Sequence, residues 1–193
     1  MRFNATDLFD YYLPSLCERR VALLGQGERP APAGPYDEVL RRLGERHEAE
    51  HFRSLPRVEN LAALPAEERA VRTRQALAGR FEALYQPLLS ADGRTAGLSG
   101  EIIGVPDFLI QTEKGIVVRE VKLARTITRR RHPAVVHQVQ IYGWLVERAT
   151  GRPPVRLEVL TGTGVLTEIP YDAGTEAPPP LAPLPTLRAA PPG

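Results

Sequence analysis

Residues 104–125 read GVPDFLIQTEKGIVVREVKLAR, and the fold turns on how this stretch pairs with itself. Two runs rich in β-branched and aromatic residues, VPDFLI and IVVREVKL, flank Thr112-Glu113-Lys114-Gly115, which predicts a β-hairpin. With a two-residue turn on Glu113-Lys114, Asp107 stands opposite Glu120. Side chains alternate faces along a strand, so Glu120 and Lys122 share a face and Asp107 joins them. Opposed side chains carry Cβ atoms about 4.5–5.5 Å apart. Carboxylates that close repel unless a cation sits between them. Lys122 supplies one positive charge; a divalent ion would supply more, and all-oxygen ligation suits Mg²⁺ or Mn²⁺. The competing reading is a surface ion pair on an ordinary hairpin. A bulge at Gly115 would slip the register by one residue.

Immediately after Lys122, Arg125, Arg129, Arg130, Arg131 and His132 crowd one segment. Such a run is either a solvated loop or, beside an acidic site, a phosphate-contacting surface. The net charge of +2 is too small to argue for nucleic acid by itself. A chain of 193 residues, 42% hydrophobic and 25% charged, has the composition of a soluble globule with a real core. No apolar run is long enough to span a bilayer, and no signal-peptide pattern opens the chain. Cys17 is the only cysteine, which excludes an internal disulfide and fits a reducing, cytoplasmic setting.

Around the hairpin the periodicity predicts further elements. Asn4 or Thr6 can cap a first helix through about Leu24, carrying Leu8, Tyr11, Tyr12, Leu16 and Val21. After a Gly/Pro-rich link, a second helix spans Tyr36 to Arg53, with Leu40, Leu43 and His47 on one face. A third follows Pro65, from Ala66 to Tyr85, with Glu67 and Glu68 where the helix dipole favours them. Tyr85–Leu89 reads as a weak strand, Val105–Gln111 as a second and Ile116–Leu123 as a third. Pro133 opens a helix to about Thr150, ended by Gly151 and Pro153. Val155–Leu160 and Val165–Ile169 read as two more strands. A meander, a crossover helix and further strands make an α/β domain with a mixed sheet over residues 1–170. Residues 171–193 are proline-rich and aperiodic, a disordered or extended tail.

Two helices carry candidate chemistry. Gln138 and Tyr142 lie four apart on one face of the helix after the hairpin, beside an apolar face of Val135, Val139, Val146 and Ala149. Alternatively, Tyr142 is core and Gln138 polar surface. His47 would face the carboxylates and ligate the same metal if its helix packs against the meander; otherwise it is an ordinary core or surface histidine. His47-Glu48-Ala49-Glu50-His51 also satisfies H-E-x-x-H, the zinc-peptidase pattern. That reading needs a third ligand. Ser54 and Arg57 stand where the extended pattern has glycine and histidine, and nothing selects among Glu59, Glu67 and Glu68.

Taken in order, Gly44-x-x-His47, Gly104-x-Pro106-Asp107, Glu120-x-Lys122 and Gln138-x-x-x-Tyr142 resemble the RecB-like branch of the PD-(D/E)XK nuclease superfamily. The spacing is similar to that of CRISPR-associated iron–sulfur exonucleases and of standalone or helicase-fused RecB-family nucleases. The resemblance covers roughly residues 5–170 and includes TRQALAGRFEALYQPLL as a lead-in helix and first strand. It implies a restriction-endonuclease-like mixed β-sheet flanked by helices, and hydrolysis of DNA phosphodiester bonds with Mg²⁺ or Mn²⁺. It further implies that His47, Asp107 and Glu120 ligate metal with the Val121 carbonyl. Lys122 would orient or activate water, and Gln138 and Tyr142 would contact DNA and brace the site. The iron–sulfur relatives need four cysteines and only Cys17 is present, so no cluster is expected. No G-x-x-x-x-G-K-[ST] occurs, so strand separation would fall to a helicase or other DNA-processing partner. The alternatives are a non-catalytic nucleic-acid-binding module on the same fold and a zinc metallopeptidase.

Overall fold

Pro106 delays the strand that the β-branched pattern predicts over Val105–Gln111, and Glu101–Gly104 forms a strand that the pattern does not predict. Proline has no N–H for a ladder and is confined to strand ends and edges. The chain accordingly forms one strand before it, Glu101–Gly104, and another after it, Phe108–Thr112. The two belong to different sheets.

The computed structural model describes residues 2–6, 34–96 and 100–173, with Arg19, Leu23 and Glu28. The predicted first helix beyond Thr6, Cys17 and most of the proline-rich tail lie outside the described residues. In chain order the elements are β1 (Arg2–Asn4), α1 (Pro35–Ser54), β2 (Val58–Asn60), α2 (Ala66–Ala78), β3 (Ala83–Tyr85) and β4 (Leu89–Asp92). A 3-10 turn (Gly93–Ala96), β5 (Glu101–Gly104), β6 (Phe108–Thr112), β7 (Gly115–Lys122), α3 (Pro133–Thr150), β8 (Arg156–Thr161) and β9 (Leu166–Ile169) follow. No helix among the described residues is long and apolar enough to cross a membrane.

The fold is mixed α/β. A six-stranded sheet in the order β2-β3-β6-β7-β8-β9 is flanked by helices, and a smaller sheet has the order β1-β5-β4. The hairpin keeps the predicted register: Thr112 pairs with Gly115 and Phe108 with Arg119, which sets Asp107 opposite Glu120 just beyond the ladder. Gly115, at φ +135°, makes the turn without a bulge. The crossover through α3 brings β8 parallel to β7.

Helix α3 is buried on all sides from Ala134 to Gly143 and again at Leu145 and Val146. Its apolar character all round has a physical cause, because it packs against β4 and β5 of the small sheet as well as β7, β8 and β9 of the large one. Val135, Val139 and Val146 are core, whereas Ala149 is exposed. Val118, Leu157 and Val159 meet α3 from the large sheet. On the sheet's other face, Phe108, Val121 and Leu160 pack with Phe52, Leu55 and Tyr85.

Other expectations change as well. Helix α2 stops at Ala78 rather than Tyr85, because Gly79 ends it and the Ala83–Tyr85 backbone pairs with both β2 and β6. Tyr85–Leu89 is not itself a strand: Tyr85 ends β3 and Leu89 begins β4 of the other sheet. Leu40 and Leu43 are exposed, as are Tyr36 and Val39, because only the second half of α1 reaches the sheet. Residues 171 and 172 are held rather than free: the Tyr171 hydroxyl donates to Glu147, and Gln140 donates to Asp172 at 3.2 Å.

Gly104 marks the tightest approach of the small sheet to α3. A Cβ there would lie 2.6 Å from Leu145 Cδ1 and 2.8 Å from Tyr142 Cδ1. Gly104→Ala is therefore expected to destabilise the protein by about 1–3 kcal/mol through overpacking. Thermal melting would check this; an unchanged midpoint would show that the ring and leucine yield freely.

Candidate active site

The carboxyl ends of β3, β7 and β8 and the start of β6 lie at one end of the large sheet, as the pairing directions require. This gathers Gln86, Asp107, Glu120, Val121, Lys122 and Thr161 at a common edge. Helix α1 approaches that edge from one face and α3 from the other.

Asp107 is the hub. Its carboxylate Oδ2 accepts the Val121 N–H at 2.8 Å, and its own N–H points to Glu120 Oε2 at 3.4 Å. Glu120 is buried on the α3 side, and its Oε1 accepts from Lys122 Nζ at 2.8 Å. Asp107 and Lys122 both keep some contact with solvent, so the site opens outward.

The electrostatics follow from this crowding. Burial raises the Asp107 carboxyl well above the ordinary aspartate range, and the charges of Glu120 and then Glu48 raise it further. Lys122 and the Val121 N–H only partly offset them. Burial alone would lower the Lys122 ammonium, but the Glu120 and Asp107 charges outweigh it and its pKa lies above the usual lysine value. Lys122 therefore stays cationic at neutral pH and acts as a charge, not as a free base.

Gln138 and Tyr142 reach the site from α3. Both are buried, and Gln138 Nε2 donates to the Tyr142 hydroxyl at 3.0 Å. Burial, then the Glu120 and Asp107 charges, raises the Tyr142 phenol above its ordinary value, so it remains a protonated neighbour of the carboxylates. Gln138 is thus core rather than surface, and its Oε1 is buried without a hydrogen-bond partner among the described residues.

His47 does not take the expected place. Its Nε2 lies 2.9 Å from the Thr161 carbonyl at the end of β8. Among the described residues no group of three or more His, Cys, Asp and Glu side chains is arranged to hold a metal, whether Asp107 and Glu120 are taken with His47 or with Glu48. Successive helix residues point about 100° apart, and Glu48, next to His47 on α1, lies close enough for its charge to raise the Asp107 carboxyl. Glu48 Oε1 accepts from Gln86 Nε2 at 3.1 Å, and the Tyr85 hydroxyl also bonds to Glu48. Sequence reasoning missed Glu48 as a third carboxylate of the site because it read that residue only within H-E-x-x-H.

The H-E-x-x-H pattern itself dissolves in the structure. His51 Nε2 accepts from Arg119 Nη1 at 2.9 Å, and its ring packs edge-on against Phe108. Burial, then the Arg119 charge and His47, lowers the His51 pKa to about 4. A guanidinium therefore occupies the nitrogen a zinc ion would need. Arg119 is in turn paired with buried Glu158, which also binds Arg156. Thr161, which meets His47, and Glu158, which holds the Arg119 that meets His51, are three residues apart on β8, or about 10 Å. Glu59 is paired with Arg72, and Glu67 and Glu68 are exposed on α2.

Arg125, Arg129, Arg130 and Arg131 lie exposed on the loop between β7 and α3, directly after Lys122. Ile127 is buried and anchors that loop. Arg129 lies 3.9 Å from Asp172.

The donor set can be weighed against a divalent ion. Mg²⁺ keeps several waters and is commonly held by one or two carboxylates plus substrate phosphate. Asp107 and Glu120, adjacent and negative in excess of Lys122, fit that requirement; the neutral nitrogen donors of a zinc site are engaged elsewhere.

No family model matches the chain, and no curated protein matches it. Among solved structures it is similar to the crystal structure of SSO0001, at 21% identity and a TM-score of 0.46, over 95% of this chain and 72% of that one.

Asp107→Asn tests the strain in the site. The wild-type carboxyl has a folded pKa above its unfolded value of about 3.9. Its contribution to stability is present below that value and is lost as pH rises through the folded pKa. Asparagine keeps an acceptor for Val121 N–H without the charge. At neutral pH in chelator, Asp107→Asn should therefore melt at least about 2 °C higher than wild type, with the gap closing on acidification. A lower midpoint at every pH would show that Asp107 is not under electrostatic strain.

Proposed function

We propose that the protein is a metal-dependent nuclease that hydrolyses DNA phosphodiester bonds. The observation that carries this reading is the pair Asp107 and Glu120, held side by side at a partly open sheet edge with Lys122 Nζ 2.8 Å from Glu120. The mixed six-stranded sheet flanked by helices and the ordered Gly104-x-Pro106-Asp107, Glu120-x-Lys122 and Gln138-x-x-x-Tyr142 motifs agree with it.

In this reading Asp107 and Glu120, with the Val121 carbonyl, would hold Mg²⁺ or Mn²⁺. A divalent ion there supplies Lewis acidity, neutralising charge on the scissile phosphate and acidifying the attacking water. Lys122, kept cationic by its carboxylate neighbours, places positive charge where the phosphate gains negative charge. It also orients the water through its N–H donors. Tyr142, a protonated phenol braced by Gln138, holds the α3 side of the site. The arginines at 125, 129, 130 and 131 offer charge to the DNA backbone beyond the scissile bond. Displacement by water forms one P–O bond and breaks the P–O bond to the leaving sugar oxygen; the attacking water gives a proton to solvent and the leaving oxygen takes one from solvent, which yields a terminal phosphate and a hydroxyl.

The test offers labelled linear single- and double-stranded DNA, circular DNA and RNA with Mg²⁺ or Mn²⁺. Wild type should cleave DNA, and Asp107→Ala and Lys122→Ala should each lose at least about a hundredfold in rate, the scale for removing a charge-stabilising group. No cleavage of any substrate by wild type, or full activity in both variants, would overturn the reading. His51→Ala should leave the rate within about threefold if it tracks only a modest packing loss, under about 1 kcal/mol. Stoichiometric, tightly held zinc lost in that variant would instead restore the peptidase alternative.

A further inference from the structure

Gln86 has the hydrogen bonds of a residue that links the two sides of the acidic site. Its backbone N–H donates to the Asp107 carbonyl at 2.8 Å, and its side-chain Nε2 donates to Glu48 Oε1 at 3.1 Å. The same Nε2 lies 3.4 Å from the Tyr85 hydroxyl. Glu48 comes from α1 and Asp107 from the start of β6; the Tyr85 hydroxyl also bonds to Glu48, and α1 packs through His51 on Phe108 and through Phe52 on Tyr85. A carboxylate only accepts, so the amide must turn its nitrogen to Glu48.

The backbone of Gln86 makes the residue type informative. Its φ is +50°, the left-handed region that glycine occupies without cost and that glutamine rarely adopts. Glycine at this position would relieve the backbone but would leave Glu48 without the amide. A side chain retained against local preference, at the turn that carries the site, points to a use for that side chain.

We propose that Gln86 is a positioning residue that sets the separation of Glu48 and Asp107, and thereby the strength with which the site binds a divalent cation. This rests on the nuclease reading for its consequence in catalysis, but not for its consequence in metal binding. The main chain of Gln86 fixes the Asp107 segment, and its amide holds Glu48 against repulsion from Asp107 and Glu120.

Mn²⁺ binding by calorimetry, metal-dependent cleavage and melting in chelator are measured on wild type, Gln86→Gly and Gln86→Asn. Gln86→Gly should melt no lower than wild type, because it removes the left-handed strain. It should nonetheless bind Mn²⁺ roughly tenfold to a hundredfold more weakly, the range seen when a residue orienting a metal ligand is lost. Half-maximal cleavage should need correspondingly more Mn²⁺, with the rate at saturating Mn²⁺ within about threefold of wild type, since the transition-state contacts remain. Gln86→Asn, which tolerates left-handed backbone and keeps a shorter amide, should fall between them and guards against a misfolded glycine variant. Wild-type Mn²⁺ affinity in Gln86→Gly, or no Mn²⁺ binding by wild type, overturns the proposal. Weakened binding in the variants with no DNA cleavage by wild type would uphold Gln86 and sink the nuclease reading. Cleavage by wild type with an unchanged Mn²⁺ requirement in Gln86→Gly would do the reverse.

Discussion

The hydrogen bond from Val121 N–H to the Asp107 carboxylate, 2.8 Å long, ties the start of β6 to the end of β7 where their ladder has run out. It holds a carboxylate against a second one, on Glu120, in a place where burial disfavours the Asp107 charge. The rest of the sheet edge is arranged around that constraint. Helix α3 closes over Glu120 with Tyr142 and Gln138, Lys122 returns part of the missing positive charge, and α1 brings Glu48 from the opposite face.

The two faces of β7 carry opposite electrostatic solutions. On the α1 face, buried Glu158 is met by both Arg119 and Arg156, and His51 is held neutral beside them. In that network the buried carboxylate is met by two guanidiniums, and it reads as structure. One residue along, the alternation of the strand turns Glu120 and Lys122 to the other face, where Asp107 and Glu120 outnumber the lysine and Glu48 adds its charge from α1 at the sheet edge. A charge excess of this kind costs stability unless a cation joins it. The contrast separates a candidate active site from an ion pair that merely fills the core.

Much of this was legible in the residues. Alternation and the Glu113-Lys114 turn placed Asp107 opposite Glu120, and Pro133 with Gly151 bounded α3 correctly. Pro106 explains why the strand starts at Phe108 rather than Val105, whereas Glu101–Gly104 is too short an apolar run to read as a strand without its partners. Helix α2 stops short of Tyr85 because Gly79 ends it, and pairing with two neighbouring strands makes Ala83–Tyr85 a strand. Glu48 and Gln86 were not identified as site residues. One sat inside a competing motif, and the other gains its meaning from a backbone angle and two contacts distant in sequence.

By itself, then, the order of residues determined the hairpin, its register and the convergence of Asp107, Glu120 and Lys122. Those depend on two-residue periodicity and a short turn, which are local. Which of His47 and Glu48 faces the carboxylates was decided only by tertiary structure. The two are neighbours on one helix, and the rotation of α1 about its axis is set by Phe52 and Leu55 packing on Phe108, Val121 and Leu160, residues brought together from three distant strands.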